Sequence, residues 1–302
     1  MHLFISGATG LIGGTVAAKA LAAGHRVTGL ARNADRAAAL EERGVTPVIG
    51  TLNDLDILAE AARTADAVIE AADAEAHFAA RALVTALVGS GKALIRTSGS
   101  TIVGDHARGM YASHVYTEDT PCERLPEKMS RIASDRMVLA AASAGVRSVV
   151  ICPGLVYGAG LGARRHGPQI PNFIELASES GAARHIGAGE NIWSHVHAED
   201  LADLYLLALE NADAGSFFFA EAGEASMREM AEAIGRLLGF SGAPEPWEHI
   251  EAVRRWGPPA AHGMGGNSRV SAAKARGVLG WQPHRVGMLE DIETGSYRAF
   301  LA

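Results

Sequence analysis

Along the first 160 residues, short continuous apolar runs alternate with longer alanine-rich stretches of helical character. The apolar runs predict strands at His2–Ser6, Arg26–Leu30, Thr46–Ile49, Ala67–Glu70, Ala93–Thr97 and Ser148–Cys152. Between them the chain predicts helices near Leu11–Ala23, Ala34–Arg43, Asp54–Arg63, Ala74–Ser90 and Glu127–Ala144. Gly24, Gly44, Gly91 and Gly145 each follow a helical run, where a left-handed C-terminal cap favours glycine. The strand runs are continuous, not alternating, as expected when helices cover both faces of a parallel sheet. The pattern predicts an α/β fold with a doubly wound parallel sheet.

After Gly158 the texture changes. Ala159–Gly167 is rich in glycine and arginine, and helices are predicted at Ala198–Asn211, Met227–Leu238 and from about Val286. Pro244–Pro283 is broken by tryptophans, the Gly257-Pro258-Pro259 triplet and Gly263–Gly266. No internal repeat or low-complexity linker separates the halves. A nucleotide-binding domain is expected over residues 1–160, completed by about 192–213, with a smaller substrate lobe over 161–302.

Composition narrows the class. A chain of 302 residues that is 48% hydrophobic can bury a sizeable core, which excludes intrinsic disorder. Two cysteines cannot build a disulfide framework, and a net charge of −7 without a basic block argues against nucleic acid. No apolar stretch is long enough for a transmembrane helix, and the N-terminus carries no basic, cleavable signal. A soluble cytoplasmic protein is expected, with no membrane partner and its oligomeric state open.

The strongest motif is Ser6-Gly7-Ala8-Thr9-Gly10-Leu11-Ile12-Gly13-Gly14, directly after the first strand and opening a helix. In such a turn Gly7 permits the sharp bend, Gly10 lets backbone amides approach a pyrophosphate, and Gly13 lets the helix pack on the strand. The helix N-terminus adds unpaired donors and the positive end of its dipole.

With its Gly-x-x-Gly-x-x-Gly spacing, the chain resembles the extended short-chain dehydrogenase/reductase superfamily, which holds nucleotide-sugar epimerases and dehydratases. The resemblance runs nearly end to end. It includes Ala71-Ala72, Thr97-Ser98-Gly99-Ser100, Glu118-Asp119-Thr120-Pro121 and Cys152-Pro153-Gly154-Leu155-Val156-Tyr157-Gly158. It continues through His195-Val196-His197-Ala198-Glu199-Asp200 and Leu279-Gly280-Trp281-Gln282-Pro283. The resemblance implies a Rossmann-type fold, with Gly7, Thr9, Gly10, Leu11, Ile12 and Gly13 at the cofactor phosphates. It also implies that Ala71 and Ala72 line the cofactor and Pro153, Gly154, Leu155 and Val156 its nicotinamide side. Thr51, beside Leu52, stands where relatives often carry an aspartate toward the adenine.

The tip of the second strand distinguishes two cofactors. NAD sites place an acid there for the ribose 2′-hydroxyl, whereas arginine accommodates a 2′-phosphate. Leu30-Ala31-Arg32-Asn33 has no carboxylate at that place, and Arg32, with Arg36 one turn further, can bond a phosphate. This favours NADP(H) over NAD(H).

The catalytic pattern breaks with the family. The superfamily's chemistry uses a tyrosine and a lysine four residues later, and no Tyr-x-x-x-Lys occurs in this chain. The family's spacing back from Pro153 places Arg131 in the lysine slot and Glu127 in the tyrosine slot. Arg131 then either bonds the ribose hydroxyls or forms an i,i+4 ion pair with Glu127. Ser98 and Ser100 bracket Gly99, which best matches the family's catalytic serine; either hydroxyl could polarise a carbonyl or cap a loop. Tyr111 and Tyr116 are further candidate acids, and Tyr157 sits in a turn whose tyrosine is more often structural.

His195 and His197 near Glu199 and Asp200 could be imagined as a metal site, but the strand-to-helix context favours a capping and packing role, and no metal is expected. His106, His114 and His166 lie in polar loops as acid–base candidates. Cys152 reads as a core residue, and Cys122 has no evident activating base. Arg164, Arg165 and His166 suggest an anionic ligand or, equally, a solvated loop. The expected function is NADP(H)-dependent oxidoreduction of a carbonyl/alcohol pair on a small molecule. A catalytically silent NADP(H)-binding sensor or partner-binding protein is the alternative, and a nucleotide-sugar epimerase ranks third.

Overall fold

The structure, a computed structural model, describes residues 1–120 and 125–301. Its elements are β1 (His2–Ser6), α1 (Leu11–Ala22), β2 (Arg26–Ala31), α2 (Ala34–Glu41), β3 (Thr46–Ile49) and α3 (Leu55–Thr64). Next come β4 (Ala67–Glu70), α4 (His77–Leu87), β5 (Ala93–Thr97), α5 (Met129–Ala140) and β6 (Arg147–Pro153). The chain continues with β7 (Leu155–Tyr157), α6 (Gln169–Ser180), β8 (Arg184–Ile186), β9 (Ile192–His197), α7 (Ala198–Asn211) and β10 (Ser216–Ala220). It ends with β11 (Glu224–Ser226), α8 (Met227–Leu238), β12 (Glu245–Trp247), α9 (His249–Trp256), α10 (Pro258–Gly265), α11 (Ala273–Leu279) and α12 (Met288–Thr294).

Seven parallel strands form one sheet in the order β3-β2-β1-β4-β5-β6-β10. Alternate strand residues feed two cores. Leu3, Ile5 and Ile69 meet Val16 and Ala20 of α1 and Leu201 and Tyr205 of α7. Phe4, Val68 and Leu94 on the other face meet Leu58 of α3, Leu83 of α4 and Val138 of α5. The order of successive strands switches side between β1 and β4, so the crevice beyond their carboxyl ends is where open α/β sheets bind ligands.

A separate core joins Tyr157, Phe173 of α6, Ile234 of α8 and Ile292 of α12. Ile192–His197 stays outside the large sheet and pairs with β7 and β11; the seventh strand is Ser216–Ala220. The chain later returns to the first core through Ala275, Leu279 and Trp281. The Trp281 indole donates to Asp200 O at 2.8 Å, and deleting so buried a side chain costs about 3–5 kcal/mol.

Some expectations shift. The helix predicted from Glu127 begins instead at Met129, after a 3₁₀ turn over Pro126–Lys128, and ends in another over Ala141–Ala144. Such turns commonly tighten helix ends. The α6 helix went unpredicted because Pro171 interrupts its sequence, yet that proline sits in the first turn, where an amide has no intrahelical acceptor. Pro244–Pro283 is less broken than its sequence suggests, for Gly257 and Gly266 separate short helices. Among the described residues, no helix is long and apolar enough to cross a membrane.

Candidate active site

Of the three glycines at the Gly-x-x-Gly-x-x-Gly positions, two are packed and one is open. Gly7 has φ +85°, and a Cβ there would lie 2.4 Å from Ala71 O. A Cβ on Gly13 would lie 2.4 Å from Gly7 O, so α1 can approach β1 only without it. Gly10 differs: its Cβ would meet only Gly7 O, at 3.1 Å, and the residue lines a cavity. Gly10 is also the N-cap and lends no side chain to the α1 amides, which remain available to an anion. This cradle fits a dinucleotide pyrophosphate, with Thr9, Leu11 and Ile12 beside it.

The cavity measures about 980 Å³ and lies at the crevice. Gly10, Leu11 and Ile12 meet Ala71 and Ala72, Ser98–Thr101, Arg131 and Pro153–Val156 there. Four separate stretches singled out in the sequence therefore converge. Arg32 follows the last residue of β2 and is exposed, and neither it nor Arg36 makes a side-chain hydrogen bond or ion pair among the described residues. Thr51 is engaged in its own turn, its amide and hydroxyl both donating to Asp54 at 2.7 and 2.8 Å. Leu52 packs against the core of α3 and α4.

The catalytic slots show a different chemistry from the one the spacing suggested. Ser98 is 5% exposed and donates its hydroxyl to Asp135 at 2.6 Å, while Ser100 is 1% exposed and shares a hydrogen bond of 2.6 Å with Ser268. Arg131 does not pair with Glu127. It pairs with Glu75 at 2.6 Å and donates to the Thr101 hydroxyl at 2.8 Å. Glu127 lies in the 3₁₀ turn ahead of the helix, so i,i+4 geometry does not apply, and its carboxylate meets His106 Nε2 at 2.6 Å. A Cβ on Gly99 would lie 3.0 Å from Arg131 Nη1, so the glycine in the serine slot leaves room for that guanidinium.

Two cavity residues escaped sequence reasoning. Thr101 accepts from Arg131 and keeps its own proton uncommitted. Lys128 lines the cavity with no side-chain hydrogen bond or ion pair among the described residues; burial and the neighbouring Arg131 hold its ammonium below the usual lysine range. Behind Ser98 lies a buried charge chain. Arg96, wholly buried on β5, donates to Glu70 at 2.6 Å and Asp135 at 2.8 Å. Burial pushes the Glu70 carboxyl up while Arg96 opposes it. The available signal was register: Glu70 and Arg96 are direct partners on adjacent parallel strands.

The remaining candidates make contacts within the fold. His195 and His197 flank the Tyr157 ring edge-on at 5.2 and 5.4 Å, and His197 Nδ1 accepts the Glu199 amide at 3.1 Å, capping α7. Tyr157 donates to Val286 O at 2.7 Å, and Tyr111 lies against Arg269. Tyr116 pairs with Val270 as a backbone bridge, with the His114 ring edge-on at 4.3 Å. His166 bonds Ser296 at 3.1 Å and takes the Arg164 Nε–H on its carbonyl, so this part of the basic loop holds itself. Cys152 is buried, its thiol pushed well up by burial. Cys122 lies outside the described residues. Among those, the metal-compatible grouping is Asp200, Asp203 and His284 and includes neither His195 nor His197; Asp203 already holds Lys19 at 2.6 Å.

Comparison with known proteins agrees with the fold and the glycine turn. An uncharacterised protein of Schizosaccharomyces pombe is 32% identical over 98% of this chain and 100% of its own length. An oxidase of Acremonium sp is 30% identical over 96% of this chain and 95% of its own. Among solved structures, the UDP-glucose 4-epimerase of Thermotoga maritima with UDP-glucose superposes with a TM-score of 0.78 at 17% identity, covering 100% of both chains. Residues 3–218 match the NAD dependent epimerase/dehydratase family, and with the near-full-length relatives this shows that the chain belongs to it.

Proposed function

We propose that the chain is an NADP(H)-dependent oxidoreductase acting on a carbonyl/alcohol pair of a small molecule. One observation carries this reading: the glycine turn, Ala71-Ala72, Ser98–Thr101 and Pro153–Val156 line a single cavity with polar side chains at its centre. A nicotinamide bound there supplies or accepts a hydride. The chain's own residues handle the rest. The α1 amides hold the pyrophosphate, Arg32 the 2′-phosphate and Arg131 the ribose hydroxyls. Ser98 donates its hydroxyl hydrogen bond to Asp135 and Ser100 shares one with Ser268, so the Thr101 hydroxyl is the donor assigned to the substrate oxygen. His106 stands in for the missing phenol. Glu127 takes its Nε2, leaving Nδ1 free to give a proton to the substrate oxygen during reduction or receive one during oxidation. The oxidase among the relatives favours redox chemistry as the outcome.

NADPH absorbance across a panel of aldehydes and ketones tests the reading. We expect consumption with at least one class, and His106→Gln to lower kcat by about 10²-fold or more while thermal stabilisation by NADPH persists. Firm NADPH binding with no turnover on any carbonyl replaces the enzyme with a binding-only sensor.

A further inference from the structure

The cavity extends well beyond the cofactor cradle. Its outer wall comes from α6, β9, α9 and α10 and includes Phe173, Trp193, Trp256, Pro259 and Met264. These surfaces are fixed. The Trp256 ring is held edge-on between Phe173 at 4.7 Å and Trp247 at 4.8 Å. The Trp193 indole donates to Gly266 O at 2.9 Å, so its polar atom is satisfied and its remaining surface is apolar. Pro258 and Pro259 open α10 with no amide hydrogens to offer. Gln169, Asn172 and His262 give this wall scattered polar points, while its aromatic and proline faces offer a flat aromatic body stacking and edge contacts.

One cation lies beside this wall. Lys128 and Trp193 line the same small recess next to the main cavity, together with His106, His262, Asp105 and Glu127; the two carboxylates are already engaged, Asp105 by Asn267 and Glu127 by His106. Arg131 is already committed to Glu75 and Thr101, and Arg164 lies at an exposed rim with its Nε bonded to His166 O. The partly buried Lys128 ammonium forms no ion pair or hydrogen bond among the described residues, with Glu127 and Glu75 acting on it only from further off.

We infer that the substrate is an aromatic carbonyl or alcohol bearing a carboxylate, its ring seated on Trp256 and Trp193 and its acid group paired with Lys128. This assignment rests on the cavity being a substrate site, as proposed above, and narrows the ligand that it takes. An anion completes the half-buried ammonium, and the apolar wall removes the pair from competing water. Neutral aromatic analogues gain the wall and lose the charge pair. Nucleotide sugars gain a charge pair and lose the wall.

Tryptophan fluorescence titration of the full chain without added nucleotide tests this with three probes: 2-naphthoate, methyl 2-naphthoate and UDP-glucose. We expect 2-naphthoate to bind about tenfold tighter than its ester, the value of one charge-assisted contact. Lys128→Met should abolish that preference while leaving ester binding and the melting temperature unchanged, and Trp256→Ala should weaken both naphthyl probes. Binding of UDP-glucose in preference to 2-naphthoate, or an acid preference that survives Lys128→Met, overturns the assignment. NADPH thermal stabilisation is read separately. If it is lost while Lys128-dependent naphthoate binding remains, the oxidoreductase reading fails and the ligand class stands; the reverse result rejects only the ligand class.

Discussion

Arg96 holds Asp135 at 2.8 Å inside the protein, and the other Asp135 oxygen takes the Ser98 hydroxyl at 2.6 Å. A charge on the central sheet thereby fixes the loop that forms one side of the cavity. The arrangement is costly to break, since removing one member of a buried ion pair leaves the others desolvated and uncompensated. Arg96→Met should strand both Glu70 and Asp135 and lower stability by about 3–5 kcal/mol in urea unfolding. A loss near zero would mean that the two carboxyl groups protonate or reach water without disturbing the fold.

The glycine turn separates folding from binding. Gly13→Ala places a Cβ 2.4 Å from a backbone carbonyl that cannot yield, so it should lower the melting temperature. Gly10→Ala meets its nearest atom at 3.1 Å and should fold with a small change in melting temperature, yet lose cofactor binding because the methyl occupies the cradle. Paired melting and cofactor-titration curves distinguish the two. Equal effects on both quantities in both variants would remove the cradle's special role.

Much of the sheet was legible because buried parallel strands read as unbroken apolar runs between helices. His2–Ser6, Thr46–Ile49, Ala67–Glu70 and Ala93–Thr97 lie where their runs place them. The glycine-turn side of the cavity was legible too, since its backbone demands leave glycines and prolines at fixed offsets. The side facing the C-terminal elements was not. His106 meets Glu127 across 21 positions of sequence, and Ser100 meets Ser268 across 168, so local pattern carries neither contact. Pro171 concealed α6, and the proline pair opening α10 resembled a break although proline suits a first helical turn.

Stability should fall in mild acid. Burial lowers the His195 pKa from 6.5 to about 4, and its Nδ1 has no hydrogen-bond partner in the interior. The unfolded chain therefore binds a proton at this residue over a range in which the folded chain does not. Stability is fully present above about pH 6.5, declines as pH falls, and the decline from this group ends near pH 4. Its full extent is about 3 kcal/mol. Burial shifts His185 and His197 in the same direction, adding to the slope. Urea unfolding between pH 7 and 5 should show the loss, and His195→Leu should flatten the curve. An unchanged slope in that variant would assign the acid sensitivity elsewhere.

The proposed NADP(H) preference rests on Arg32. Its guanidinium is exposed at the end of β2 with no acidic partner among the described residues, so no existing ion pair must break before it meets a phosphate. Asn33 spends its side chain capping α2, accepting the Arg36 amide at 3.0 Å, which fixes the loop that carries Arg32. The 2′-phosphate of NADPH should gain a charge-assisted contact that NADH cannot make. Arg32→Ala should therefore weaken NADPH by about ten- to a hundredfold and leave NADH nearly unchanged. Arg32→Lys should recover only part of the loss, because an ammonium replaces the planar fork with a single point charge. Parallel NADPH and NADH titrations of the three proteins check this order. Equal binding of both cofactors by the unaltered chain, or the same NADPH preference after Arg32→Ala, removes the basis for NADP(H) selectivity.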